Sequence, residues 1–428
     1  MTATLPPTLP TGVSVATPPR PVTAPSPPST RERLLALDVF RGLTIAGMLL
    51  VNDPGSWSYI YPPLEHAEWH GWTPTDLIFP FFLFIVGVTT HLSLAARRAR
   101  GDDDAAIRRQ ILRRGALIFL FGLLLNGFPF FQWGPIAGTT APSFLTRIVE
   151  RLEHLRIMGV LQRIGLAYTA AAFLTLRTSL KQQVAILGGL LLGYWVAMTL
   201  LPVPGTGVLG VVAINTRDGH LAAWVDRLVF DWRRWGLGNH LWVGSQTWDP
   251  EGLLSTIPAI GTAILGNMAG RWIGQPRPLA ERLNGLFAAG ALGMTAGLMW
   301  NWSFPINKGI WTSSYVVFTA GMACVSLAAI MWLVDVHGWR RWTKFFVIYG
   351  MNPIVAFVGS GLLARMLYSI FKVNYNGTRV SVVEAIFRTF VSWGLAPVNA
   401  SLLFALCFVA FWFAVLWVLY RRRIFLKV

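Results

Sequence analysis

The sequence is short of charge and nearly free of cysteine. Asp, Glu, Lys and Arg make up only 13% of its 428 residues, where an ordinary soluble domain carries about a quarter. That scarcity excludes a fold whose boundary is mainly water. The two cysteines, Cys324 and Cys407, both fall inside apolar runs. Neither is placed for a disulfide or a metal cage, and a free cysteine in such a setting behaves as a small hydrophobe. Also absent are a GxGxxG after a strand pattern, a Walker loop and a GxSxG elbow, so neither an ATP-driven nor a dinucleotide-dependent enzyme is supported.

What the chain has instead is apolar length. It is 54% hydrophobic, with 20 Trp and 27 Phe, and runs of about 20 apolar residues recur, enough to cross a bilayer core as helices. The reading is an all-α polytopic membrane protein. Ten spans are predicted, near residues 34–51, 75–97, 111–131, 157–176, 182–201, 253–273, 284–300, 313–335, 345–369 and 400–420. Residues 381–394 (SVVEAIFRTFVSWG) are too short and polar to span and are expected to lie in the interface as an amphipathic helix. Residues 1–30, Pro- and Thr-rich, are expected to be a disordered tail. They do not form a signal peptide, because no apolar h-region precedes residue 34. Residues 31–428 then make one transmembrane domain.

The net charge of +17 does not point to nucleic acid, because the basic residues sit in short segments between apolar runs rather than on a soluble face. With the N-terminus inside, 22 of the 36 Lys and Arg fall on inner connections, 11 on outer ones and three within spans. Both termini are therefore expected to be cytoplasmic.

That orientation turns residues 52–76, NDPGSWSYIYPPLEHAEWHGWTPTD, to the outside. The stretch has no Lys or Arg, two His and four acids. His66 and His70 would share a helix face, but HAEWH is not the zincin pattern and no third ligand is evident, so no metal site is expected. His66 is flanked by Glu65 and Glu68, and carboxylates beside an imidazole can orient it for proton transfer near neutral pH. Asp76 opens the second span, where helix capping and a functional role are both open. Asp249 and Glu251, in WDPEGL, read as an ordinary helix opening. His154, His220 and His337 read as loop residues.

Charges within spans are costly and count as functional candidates. Asp38 and Arg41, three apart, would lie on one face and satisfy each other as an ion pair. Arg163, in GVLQRIGLAY, has no acid nearby in its span and needs a partner on another helix, water or an anionic ligand. Arg365 lies near an outer end, where it can snorkel to the interface.

Several stretches together resemble one family. LDVFRGLTIAGMLLVN, then His66, Trp69 and Gly71, then TDLIFPFFLFIVG, are similar to the opening of the heparan-alpha-glucosaminide N-acetyltransferase family. RIMGVLQRIGLAY, WDPEGLLSTIPAIGTAILG, FPINKGIWTSSYVVFTAG and YGMNPIVAF continue the likeness to the end of the chain. The resemblance implies a transmembrane acyltransferase in a bacterial inner membrane. Cytosolic acetyl-CoA would be the acyl donor and an amino sugar on the periplasmic side the acceptor, with homodimerisation. It implies a catalytic His66 and a polar positioning role for Asn52, with Glu65, Glu68 or Asp76 in support. His66 would act as a general base or carry the acetyl group itself. Trp57, Tyr59, Trp69 and Trp72 would offer sugar-stacking faces or form an interfacial belt. CoA phosphates would need cations, for which Arg163 and Arg41 are candidates, and Gln162, Asn352 and Ser314 would line the path of the thioester. An amino-sugar transporter and an envelope-glycan O-acyltransferase are the alternatives.

Overall fold

The first apolar run resolves into one long helix and a sharp stop. The computed structural model describes Thr2 and residues 34–426; apart from Thr2, the tail expected over residues 1–30 lies outside the described residues. Helix α1 (Leu35–Asn52) ends where Asp53 leaves helical geometry ahead of Pro54, a residue that disfavours helix at the position before it. After the loop come α2 (Ile78–Ala99), α3 (Asp104–Gly127), a short amphipathic α4 (Phe144–Glu153), α5 (Val160–Arg177) and α6 (Leu180–Leu200). A long connection holds the single turn α7 (Gly210–Ala213) and α8 (Leu221–Phe230). Then follow α9 (Thr256–Ile273), α10 (Leu279–Trp300), α11 (Ser313–Met331), α12 (Thr343–Met351) and α13 (Pro353–Arg365). A hairpin of β1 (Lys372–Tyr375) and β2 (Thr378–Ser381) leads to α14 (Val382–Ser392) and α15 (Pro397–Arg421).

The protein is an all-α polytopic membrane protein. Eight of the described helical stretches are long and apolar enough to cross a membrane. The other two of the ten expected spans fall on α5 and α9, each an 18-residue helix that is too little apolar to stand among those eight. They carry Gln162, Arg163, Asn267 and Thr262 at buried positions. Protein, rather than lipid, covers these groups, which is how a membrane helix tolerates them. Asn267, for example, donates to the Thr175 hydroxyl at 2.7 Å across the α5–α9 contact.

Close helix approach depends on small residues. A Cβ on Gly87 of α2 would stand 2.1 Å from the Ala263 carbonyl of α9. One on Gly266 of α9 would stand 2.1 Å from the Phe84 carbonyl of α2. Backbone thus meets backbone along this pair, and the main core forms around it with α1, α5 and α11.

The expected ninth span is broken. Asn352 separates α12 from α13, and Pro353 opens the second piece. Broken helices inside a membrane protein need their freed groups satisfied by protein. Here the fully buried Asn352 side chain donates to the Ile424 carbonyl at 3.0 Å and accepts from the Leu426 amide at 2.9 Å, so the chain after α15 folds back onto the break. Helix α14 forms where the amphipathic segment was expected, turning Val383 and Phe387 inward.

Candidate active site

The sequence TPTD makes a turn before it makes a helix. Pro74 starts a short 3-10 turn, Pro74–Leu77, with Thr73 as its N-cap. Asp76 closes the cap from inside: its Oδ2 accepts from the Thr73 amide at 3.1 Å and from the Ala67 amide at 3.0 Å. The capping reading of Asp76 is therefore correct, but it uses only one carboxylate oxygen. The other, Oδ1, accepts a hydrogen bond from Nδ1 of His66 at 2.7 Å. The Asp76 side chain is 2% exposed while that of His66 is 44% exposed. Tyr315 of α11 fixes the turn from beneath, donating to the Asp76 carbonyl at 2.5 Å.

The orienting carboxylate is thus Asp76 and neither Glu65 nor Glu68. The side chains of both glutamates are exposed, and the contacts made at these residues run through their backbone carbonyls, to Thr73 and Arg217. Adjacent residues in an extended loop diverge, whereas ten residues of loop bring Asp76 back under the ring. With Nδ1 donating to Asp76, Nε2 is the ring nitrogen left to accept.

A third group approaches from a distant loop. Nζ of Lys308 lies 3.0 Å from Nδ1 and 3.4 Å from Nε2 of His66, and 3.3 Å from Oδ1 of Asp76. Its loop is tightly stapled. Asn307 accepts from the Ile310 amide at 3.1 Å, and the Gly71 amide donates to the Ile306 carbonyl at 2.7 Å. Burial pulls the Lys308 ammonium below its ordinary range, against the upward pull of Asp76 and Glu251. Its side chain retains 25% exposure and lines a cavity beside His66.

The cavity measures about 220 Å³. His66, Asn52, Lys308 and Glu251 are among its lining residues. From Asn52 it follows one stripe of α1 through Val51, Met48 and Ile45 to Thr44, eight residues or roughly 12 Å of helix rise. Pro353, Ile354 and Phe357 of α13 face that stripe. The walls below His66 are almost wholly apolar.

Glu251 reaches this cavity because an ion pair holds its loop. Arg156 grips Asp249 bidentately, at 2.8 Å and 2.5 Å, and also bonds Glu251. WDPEGL is therefore more than a helix opening. Arg163 stands behind it, fully buried, bonded to Ser255 and stacked over Trp311 at 5.0 Å.

The structure brings His66, Asn52 and Asp76 to one place. It does not bring Arg163, Gln162 or Arg41 into the cavity lining. Arg41 bonds Asp38 at 3.2 Å, the ion pair anticipated from their spacing, and also the Gly350 carbonyl. Gln162 is buried against Gly122 and Gly159. Ser314 bonds Thr312 at 3.1 Å. Trp57 is 60% exposed, Trp72 packs on Phe318, and Trp69 lies between His220 and Trp248 with its indole donating to the Ile214 carbonyl. His70 is engaged by Asn215 and Asn307. Among the described residues no three His, Cys, Asp or Glu side chains gather as a metal site would require.

Residues 33–225 match the family model for heparan-alpha-glucosaminide N-acetyltransferase, catalytic. The chain is 29% identical over 460 residues to heparan-alpha-glucosaminide N-acetyltransferase from Mus musculus, covering 95% of this chain and 63% of that protein. It is 28% identical over 443 residues to the protein of the same name from Homo sapiens, covering 92% of this chain and 60% of that one. It thus spans under two thirds of either relative's length. A stretch of 98 residues is 30% identical to an uncharacterized 39.9 kDa protein from Bacillus acidopullulyticus, covering 22% of this chain and 28% of that protein. His66, Asn52 and Asp76 lie within the matched family region; Glu251 and Lys308 lie beyond it.

Proposed function

We propose that this chain, similar over residues 33–225 to the family model for heparan-alpha-glucosaminide N-acetyltransferase, catalytic, is a membrane-embedded acetyltransferase moving an acetyl group from acetyl-CoA to the amine of an amino sugar. The observation that carries this reading is the His66–Asp76 pair opening onto an apolar cavity that runs along α1.

An amine attacks a thioester only in its neutral form. His66 takes the amine's proton on Nε2 as the new C–N bond forms, and Asp76 holds the ring in the required tautomer and offsets the charge it gains. The thioester oxygen becomes an oxyanion beside Asn52, whose amide donates to it. The C–S bond then breaks, and the thiolate leaves with the proton that His66 carried.

The cavity's shape supports delivery of the donor through the bilayer. Its apolar stripe along α1 and α13 suits the thioester arm of CoA, while its polar end holds His66, Asn52 and Glu251. On this reading acetyl-CoA arrives from the cytosolic side, and His66 faces the periplasm across a bacterial inner membrane. The excess of Lys and Arg on the opposite connections supports that orientation.

The test is transfer itself. Purified protein in nanodiscs, given radiolabelled acetyl-CoA and glucosamine, is expected to make labelled N-acetylglucosamine. Glucosamine that is bound or carried across vesicles unmodified, with acetyl-CoA never consumed, would replace the enzyme with a transporter. Label on a sugar hydroxyl would make it an O-acyltransferase.

A further inference from the structure

We propose that Glu251 is the residue that recognises the acceptor as an amine. Its carboxylate holds the ammonium of the incoming sugar at the polar end of the cavity, and lets the acetylated product go because an amide carries no charge. The assignment deepens the acetyltransferase reading and rests on it for its use in catalysis.

The turn WDPEGL divides the work of its two acids. Asp249 is engaged in structure: Arg156 donates to both its oxygens, at 2.8 Å and 2.5 Å, and the Glu251 amide donates to Oδ1 at 2.8 Å. Glu251 is only half engaged. Its Oε2 accepts from Arg156, while among the described residues nothing donates to Oε1. The side chain is 12% exposed and is the only carboxylate among the described residues that line the cavity with His66 and Asn52. A carboxylate oxygen shielded from bulk water is costly unless a donor reaches it, and the apolar walls around it supply none. The arginine behind the loop is turned elsewhere: Arg163 bonds Ser255 and the Gly252 carbonyl and does not line the cavity.

This end of the cavity already accommodates one primary ammonium. Nζ of Lys308 donates to Nε2 of His66 at 3.4 Å and pairs with Oδ1 of Asp76 at 3.3 Å. Asp76 balances that charge, which leaves Glu251 to balance a second. An ammonium gives up its hydration on entering such a site and needs an anion there. Hydrogen bonds between charged groups are about twice as strong as neutral ones, so a sugar hydroxyl gains much less from Glu251 than a sugar amine does. The acceptor is a cation until His66 takes its proton, and the N-acetyl product is neutral. Charge at Glu251 thus separates amine from hydroxyl and substrate from product.

The experiment is equilibrium binding to the full chain in nanodiscs, measured by calorimetry near neutral pH with glucosamine, glucose and N-acetylglucosamine as probes. Wild type is compared with Glu251→Gln, which keeps the side chain's size and an acceptor for Arg156. Wild type is expected to bind glucosamine more tightly than either neutral sugar. Glu251→Gln is expected to weaken glucosamine roughly 10- to 100-fold, to the level of glucose, with acetyl-CoA binding unchanged. A wild type that does not distinguish glucosamine from glucose, or a folded Glu251→Gln that keeps the preference, overturns the proposal. So does a loss shared equally by all three sugars, because a residue that only braced its loop would not sort ligands by charge. Should Glu251→Gln fail to fold, wild type decides alone. Glucosamine, and not glucose, is then expected to protect Glu251 from carbodiimide coupling read by peptide mass spectrometry, and equal coupling with both sugars overturns the proposal. Acetyl transfer on the same samples keeps the two readings apart. A charge preference that Glu251→Gln abolishes, with no transfer by wild type, defeats the acetyltransferase reading alone. Transfer by wild type with the glucosamine KM unmoved in Glu251→Gln defeats the role of Glu251 alone.

Discussion

Asp76 holds His66 with one carboxylate oxygen and caps its own turn with the other. Replacing the carboxylate by an amide separates these tasks. In Asp76→Asn the carbonyl oxygen can keep the cap, while Nδ1–H loses its charged acceptor. The rate constant kcat is expected to fall roughly 10²- to 10⁴-fold with KM little changed. Asp76→Ala is expected to add a stability loss of about 1 kcal/mol from the missing cap. Steady-state kinetics with thermal melts of both variants checks this; equal stability and equal activity in all three proteins would show that the pair is ornamental.

Asn52 carries a different load. It lines the cavity beside His66 at the end of α1, and removing one oxyanion donor from an acyl-transfer site costs about 10²–10³ in kcat. Asn52→Ala is expected to show that loss without a change in KM for either substrate. A rise in KM alone would move Asn52 from transition-state stabilisation to ground-state binding.

Arg156 ties two carboxylates to the edge of the cavity. Arg156→Met leaves Asp249 and Glu251, both shielded from water, without their cation. Breaking such a pair from one side costs about 3–5 kcal/mol when fully buried; with Arg156 17% exposed, the lower end is expected. Chemical denaturation followed by tryptophan fluorescence measures it, and a loss below about 1 kcal/mol would class the bridge with ordinary surface pairs.

Asp226, in helix α8 of the long connection after α6, gives the fold a pH dependence. Burial pushes its carboxyl up to about 7, so the folded protein holds a proton there that the unfolded chain has lost. Its contribution is fully present below the ordinary carboxylate range and is lost as pH rises to about 7. His220 works oppositely: burial pushes it down to about 3, and the stability it contributes is lost as pH falls toward that value. Asp226→Asn keeps an acceptor for the Leu253 amide and removes the titration. Its melting temperature is expected to gain on wild type as pH rises from 4 to 7. A constant difference across that range would contradict a buried, proton-holding Asp226.

Much of the fold was legible because bilayer physics is local. Span length and apolar content are properties of twenty consecutive residues, and all ten expected segments are helical. Even the dilute cases, α5 and α9, were found from their apolar framework, although Arg163 and Asn267 lower their hydropathy. The break at Asn352 was less visible, since its satisfaction depends on Ile424 and Leu426, more than seventy residues away.

Of the proposed site, His66 and Asn52 stand out through resemblance, and Asp76 through its place at a helix start. The ring's partner was sought beside it in sequence, at Glu65 and Glu68, because neighbouring charges are all a linear reading can see. Lys308, separated from His66 by 242 positions, looked like one of eleven outer basic residues. Glu251 looked like a first-turn acid. Only the folding of three loops over one cavity distinguishes them.

The central claim is acetyl transfer at His66. It is tested most directly by comparing wild type with His66→Ala in nanodiscs, using radiolabelled acetyl-CoA and glucosamine and counting labelled N-acetylglucosamine. The account predicts product from wild type and none above the protein-free control from a folded His66→Ala. Equal product from both proteins would remove His66 from the chemistry and contradict it.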